Sequence, residues 1–253
     1  MNLRPHDYRH LVERWRALAR RAGVRMRKLA RTDGCDVFVL QTAALKSEGG
    51  IYISAGIHGD EPAASQGLLA WAEANAARLR DLPLLLFPCL NPWGLTHNTR
   101  VDSNGDDLNR MFHREDVPVI GAIRKLIAGH RFALALQLHE DYDGEGFYLY
   151  EVQRTPPYWG EKLLAAAARH IAIEPRGRID GRIARGGLVR RRVDQRRFGR
   201  VGYPEAIWLH LHHSERTFTI ESPSEFALDR RIRAHVAVID AAVRLALRGK
   251  PAL

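Results

Sequence analysis

Two runs, the unbroken apolar Leu82–Pro88 and Phe132–Leu138, apolar but for Gln137, constrain this chain most, because a segment apolar at nearly every position suits a strand buried on both faces. Around them the pattern changes period. Tyr8–Ala22, Pro62–Leu79, Pro118–Ala128, Pro157–His170 and Glu225–Arg248 read as helices. Asp36–Gln41, Ile51–Ala55, Phe147–Val152 and Phe218–Ile220 read as strands. Strands alternating with helices predict an α/β fold, with a mixed, largely parallel central β-sheet and helices on both faces. No internal repeat or low-complexity linker divides the 253 residues, so a single domain over 1–253 is expected.

The strand Ile51–Ala55 ends in Gly56 and delivers His58 and Glu61 into a turn, just before Pro62 opens an alanine-rich helix. The C-terminal ends of strands are where open α/β sheets place their chemistry. Zinc takes imidazole nitrogen and carboxylate oxygen, and a catalytic site uses three protein ligands and keeps a position for water. A third ligand is therefore expected elsewhere. The same spacing at His10–Glu13 lies in a helical pattern and reads as a solvated pair. At His212–Glu215 it follows Trp208-Leu-His-Leu-His, whose alternation suggests a strand with histidines on one face.

His139 closes the buried run Phe132–Leu138 and is placed as His58 is placed, which completes a set of two histidines and one carboxylate. His97, His113 and His130 compete for the third position, but none has a buried strand to fix it. The polar loop from Asn98 to Phe112 superficially suggests a calcium loop through Asp102, Asn104 and Asp106. Asp107 and His113 occupy the positions where that loop needs glycine and glutamate, which excludes it. Arg100 and Arg110 instead offer fork-shaped donors suited to a carboxylate. Glu221 follows the short strand Phe218–Ile220, where it could act as a general base or begin a helix as an ordinary capping glutamate.

These blocks, taken together and in order, resemble the zinc carboxypeptidase superfamily, which includes murein peptide amidase, aspartoacylase and succinylglutamate desuccinylase. The resemblance covers roughly Ile51 to Pro223. It implies a zinc carboxypeptidase-like fold and one Zn2+ ion held by His58, Glu61 and His139. It further implies Asp107 as the partner that orients the His58 ring, Arg100 as oxyanion stabiliser, Asn109 and Arg110 as the grip on a substrate carboxylate, and Glu221 as catalytic glutamate. Tyr203 in Gly202-Tyr-Pro-Glu-Ala206 stands in the interval of the family's mobile tyrosine. The spacing and Asn-Gly turn of Arg100–Arg110 are similar to those of murein peptide amidase-like peptidases, whereas aspartoacylase-like members shorten that loop. The implied activity is hydrolysis of an amide next to a free carboxylate, in small or acidic peptides. An N-acyl amino acid deacylase is the alternative.

Composition limits the remaining classes. No apolar run approaches a membrane span, and Met1–His10 lacks the apolar core of a secretory signal. Cys35 and Cys89 form neither a disulfide framework nor a metal knuckle, so a cytoplasmic protein with reduced thiols is expected. The net charge of +10 concentrates in Arg176–Arg200, which carries ten arginines. That stretch lacks aromatic interleaving and belongs to no nucleic-acid module, so it reads as a solvated loop or as the border of a site that attracts acidic substrates. A substrate-side loop is the expectation. A metal- or nucleic-acid-binding protein without turnover is the non-enzyme alternative.

Overall fold

The computed structural model describes residues 4–193 and 202–248. In chain order the elements are α1 (Tyr8–Ala22), β1 (Arg25–Thr32), β2 (Cys35–Gln41), β3 (Glu48–Ala55), α2 (Pro62–Ala74), β4 (Leu84–Phe87), α3 (Pro92–His97), α4 (Pro118–Ile127), β5 (Arg131–Asp141), β6 (Tyr148–Gln153), α5 (Gly160–Ala167), β7 (Arg178–Ile179), β8 (Arg182–Ile183), β9 (Leu188–Arg190), α6 (Glu205–His212), β10 (Arg216–Pro223) and α7 (Leu228–Arg248). Eight strands form one sheet in the order β1-β2-β4-β3-β5-β10-β6-β9, and β7 and β8 make a separate two-stranded ribbon. The inner strands β4, β3, β5 and β10 run parallel. β2 and β6 flank them antiparallel, which makes the sheet mixed as expected.

The period of two along each inner strand divides the core. Leu134, Leu136 and Leu138 of β5, with Phe218 and Ile220 of β10, pack in one cluster with Leu68 and Trp71 of α2 and Val238 and Ile239 of α7. Ala135 of β5 and Tyr52 of β3 belong to the opposite cluster, with Ile120 and Ile123 of α4 and Leu209 of α6. Helices therefore cover both faces, and the sheet buries apolar side chains on each. That is why the runs at Leu82–Pro88 and Phe132–Leu138 carry no polar alternation.

Local signals fixed several boundaries. α1 begins where the Asp7 side chain accepts from His10 N and ends at Gly23, which takes the left-handed conformation with φ +62. The turn signal at Asn91-Pro92-Trp93-Gly94 opens the short helix α3, with the Asn91 side chain accepting from Gly94 N. The segment Trp208-Leu-His-Leu-His, whose alternation suggests a strand, is instead helical within α6. α6 is only eight residues long, and Ala206, Ile207, Leu209 and His210 are all buried, so too few positions face solvent to reveal a helical period.

Candidate metal centre and active site

The turn that carries His58 and Glu61 is locked by two glycines. Gly56 has φ +62, and a Cβ there would come within 2.6 Å of Ser65 Oγ. At Gly59 a Cβ would lie 1.8 Å from the Gly94 carbonyl carbon, because the turn presses directly against α3. Gly59 N also donates to Thr99 O at 3.1 Å. Glu61 occupies the N-cap position of α2 but its side chain makes no capping bond there, which leaves the carboxylate free to turn towards the sheet.

The third residue arrives from β5. His139 Nδ1 lies 3.2 Å from His58 Nδ1 and 2.9 Å from Glu61 Oε2, while His58 Nδ1 lies 2.6 Å from Glu61 Oε1. One ligand-type atom from each residue falls within 4.8 Å of the others, all three residues are buried, and this is the only such cluster among the described residues. His10 and His212 do not join it, nor do His97, His113 or His130. His97 instead points Nδ1 at Trp93 O, and His130 stacks on Phe132.

The donor set tests whether a cation fits. The two imidazole Nδ1 atoms, 3.2 Å apart, and both oxygens of the Glu61 carboxylate turn towards one point, a donor set that suits a shared cation. Burial alone would push the His58 imidazolium down, yet the Glu61 and Asp107 carboxylates hold its pKa up at about 9. Burial would raise Glu61, but the two histidines keep it down at about 2. Asp107 Oδ1 sits 3.2 Å from His58 Nε2, on the ring edge away from the cluster, where it fixes the orientation of the imidazole. A carboxylate and two imidazoles converging from rigid elements suit a divalent metal of the zinc type.

Glu221 reaches the same place through strand register, since β10 and β5 pair in parallel with Glu221 opposite His139. Burial, together with the negative charges of Glu61 and Asp141, raises its pKa to about 8 against the pull of His139 and Arg100. Positive charge at the ligand cluster would favour its ionised form. Arg100 donates through Nε and Nη2 to Asp107 Oδ2 at 3.2 and 3.1 Å, and its Nη1 lies 3.6 Å from Glu61 Oε1. A cavity of about 300 Å³ opens over these groups, lined also by Asn109, Arg110, Tyr148 and Arg191. A larger cavity of about 900 Å³ lies beside Arg154, Arg190 and Arg192, but it holds no cluster of metal-type ligands.

Asn109 is oriented by its own hydrogen bond: Oδ1 accepts from Glu205 N at 2.9 Å, so the amide NH2 remains as a donor. Arg110 is exposed, with Nη1 bonded to Asn109 O. Asp102, read above as part of a polar loop, accepts from Asn104 N and Asp106 N and so shapes that loop. Tyr203, in the interval of the mobile tyrosine that the resemblance implies, sits at the edge of the site. Its ring packs near Trp208 and His113 and is not among the cavity-lining side chains, while its backbone pairs with Arg110 and Phe112. Of the arginine-rich stretch, Asp180 and Arg191 line the cavity, and Arg191 is the one arginine of the stretch that does so among the described residues. Arg176 pairs with Glu174, and Arg190 with Glu151 and Glu161. Residues 194–200 of that stretch lie outside the described residues.

Sequence reasoning missed Glu140, which follows His139 and whose carboxylate is buried against Ala63, Ser222 and Arg231, and the hydroxyl–carboxylate pairs Tyr148–Asp141 and Tyr150–Asp180 on the cavity wall. Glu140 had no signal that set it apart from any acidic residue beside a histidine. The tyrosines had none, because an alternating Tyr-Leu-Tyr reads as ordinary strand surface.

The fold brings His58, Glu61 and His139 into one buried cluster that can hold a divalent metal ion. The sequence profile of the succinylglutamate desuccinylase/aspartoacylase catalytic domain matches residues 48–174, half of the chain, and the chain belongs to that family. No curated protein matches the sequence. Among solved structures, a candidate metallopeptidase from Shewanella amazonensis SB2B superposes with a TM-score of 0.82 at 21% identity, over 95% of this chain and 94% of that one. A metallo-carboxypeptidase from Pseudomonas aeruginosa, in complex with (2-guanidinoethylmercapto)succinic acid, gives 0.65 at 19% identity, over 92% of this chain and 68% of that one. Murein-tripeptide amidase MpaA from Escherichia coli O157 gives 0.60 at 18% identity, over 89% and 92%. These likenesses establish the zinc carboxypeptidase-like fold.

Proposed function

We propose that this protein hydrolyses an amide bond adjacent to a free carboxylate, in small or acidic peptides, with one zinc ion held by His58, Glu61 and His139. The observation that carries the reading is the convergence of those ligands, Glu221, Arg100 and Asn109 on one cavity of about 300 Å³. Zinc bound there would supply Lewis acidity towards the scissile carbonyl and lower the pKa of a water towards ~7. The Glu221 carboxylate takes the proton of the attacking water and passes it to the leaving amine nitrogen. The Arg100 guanidinium, close to Glu61, stabilises the negative charge that develops on the carbonyl oxygen. The Asn109 amide and the Arg110 guanidinium hold the substrate carboxylate and so fix which amide is presented. Tyr203 enters as a backbone support for Arg110 and Phe112. We place the activity in a single domain and in the cytoplasm; no described helix is long and apolar enough to cross a membrane.

A second reading, deacylation of an N-acyl amino acid, is favoured by the family profile over residues 48–174. It uses the same ligands, base and carboxylate grip, with the acyl group in place of the peptide. The two are separated by assaying the zinc-loaded protein on short peptides with free C-termini and on N-acetyl and N-succinyl amino acids. The peptide reading expects kcat/KM to be higher for peptides. Turnover confined to the N-acyl amino acids would overturn it in favour of deacylation.

A further inference from the structure

We infer that Glu140, Ser222 and Arg231 are positioning residues for the metal centre, acting from the opposite face of the sheet; the inference rests on the metal reading above. The period of two puts His139 and Glu221 on one face and their successors Glu140 and Ser222 on the other. The same register that sets Glu221 opposite His139 sets Ser222 opposite Glu140. Behind the sheet the Glu140 carboxylate ties four segments together. Its Oε1 accepts from Ala63 N at 2.6 Å, in the first turn of α2 and two residues after Glu61. Its Oε2 accepts from Ser222 Oγ at 3.2 Å and from the Arg231 guanidinium of α7. Ser222 Oγ also lies 3.1 Å from His235 Nε2, one helical turn beyond Arg231.

Each strand or turn that carries a site residue is thus tied to one carboxylate within two residues of that side chain. Glu61 is held through Ala63, His139 through Glu140 itself, and Glu221 through Ser222. The Glu140 side chain is fully buried and that of Arg231 is 12% exposed, so the pair is shielded from solvent and salt. α7 is seated closely enough to deliver the arginine: a Cβ on Gly67 of α2 would lie 2.6 Å from His235 Cβ, so the two helices meet without a side chain between them. Removing one partner leaves the other charge buried and uncompensated, and the segments it joined lose their common anchor. This cluster therefore sets the spacing of the ligands as well as the stability of the fold.

The test separates those two roles by measuring zinc affinity by chelator competition alongside thermal unfolding. Arg231→Met, Glu140→Gln and Ser222→Ala are compared with Arg14→Met, which breaks an ion pair to Glu73 between α1 and α2 whose residues do not line the cavity. Zinc affinity should fall ~10–100-fold in Arg231→Met and Glu140→Gln, by analogy with other partners that hold metal ligands. Ser222→Ala should lose less, and Arg231→Lys should recover most of the loss. Arg14→Met should lower the unfolding temperature and leave zinc affinity within about twofold. If Arg231→Met does not fold, Ser222→Ala and Arg231→Lys decide. Variants that unfold earlier yet bind zinc as the wild type does would overturn the positioning role and leave a structural ion pair. A wild-type chain that binds no zinc would contradict the metal reading itself.

Discussion

At the scale of single residues, the site depends on side chains whose orientation is set by neighbours. Asp107 accepts from Asn109 N through Oδ1, pairs with Arg100 through Oδ2 and faces His58 Nε2, so one carboxylate orients the proposed metal ligand, oxyanion donor and carboxylate grip. Asp107→Asn should therefore weaken zinc retention and lower kcat/KM by ~10–100-fold each, read by chelator competition and steady-state kinetics. Unchanged values for both would remove Asp107 from the account. Glu221→Gln keeps the shape of the base and removes its proton affinity, so kcat should drop by ~10²–10⁴ while zinc still binds. Retained turnover in that variant would mean that another group accepts the proton. Gly59→Ala cannot be accommodated without moving backbone, given the 1.8 Å approach to Gly94, and should cost metal binding together with folded stability. Much of this was legible in the sequence because metal ligands need particular residue types at strand ends. Glu140 was not, since a buried carboxylate behind the sheet looks like any acidic residue next to a histidine until Arg231, far along the chain, is brought to it.

At the scale of elements, strands buried on both faces were the easiest to read, and elements with mixed exposure the hardest. β1, with the sequence Arg-Met-Arg-Lys-Leu-Ala-Arg-Thr, is an edge strand with no fully buried position, so nothing in its polarity marks it as sheet. α6 was misread because its short, mostly buried turns imitate alternation. That helix also carries a testable electrostatic consequence. Burial and the neighbouring Arg154 hold His210 down at about 4, and burial holds His235 of α7 down at about 3. In the unfolded chain both titrate near ~6.5, so below that pH the unfolded state binds more protons and these residues lose stabilisation as pH falls. Each neutral buried imidazole should therefore lose part of its stabilising contribution with every pH unit between ~6.5 and its folded pKa. His210→Leu should accordingly flatten the fall of unfolding temperature between pH 6.5 and 4.5 relative to the wild type. Identical slopes would show that His210 is already protonated in the folded protein.

For the whole molecule, a net charge of +10 and the arginines around the cavity should draw anionic substrates towards the site. Exposed charges are screened beyond ~8 Å at physiological salt, so any preference for an acidic over a basic peptide should shrink as salt rises. Equal rates at low salt would leave the arginine-rich stretch as solvated surface. Among the described arginines of the stretch, Arg191 alone lines the cavity, and no sequence pattern distinguished it from the arginines on either side. The architecture gathers one turn, two strand ends and one loop around a shared point, and the central claim is that a metal bound there is needed for amide hydrolysis. The most direct measurement is turnover of a short peptide with a free C-terminal carboxylate, made on the zinc-loaded protein, after chelation, and after adding back one equivalent of zinc. The account predicts hydrolysis that disappears with the metal and returns at one ion per chain. Hydrolysis indifferent to chelation, or none in the loaded protein for any carboxylate-bearing amide, would contradict it.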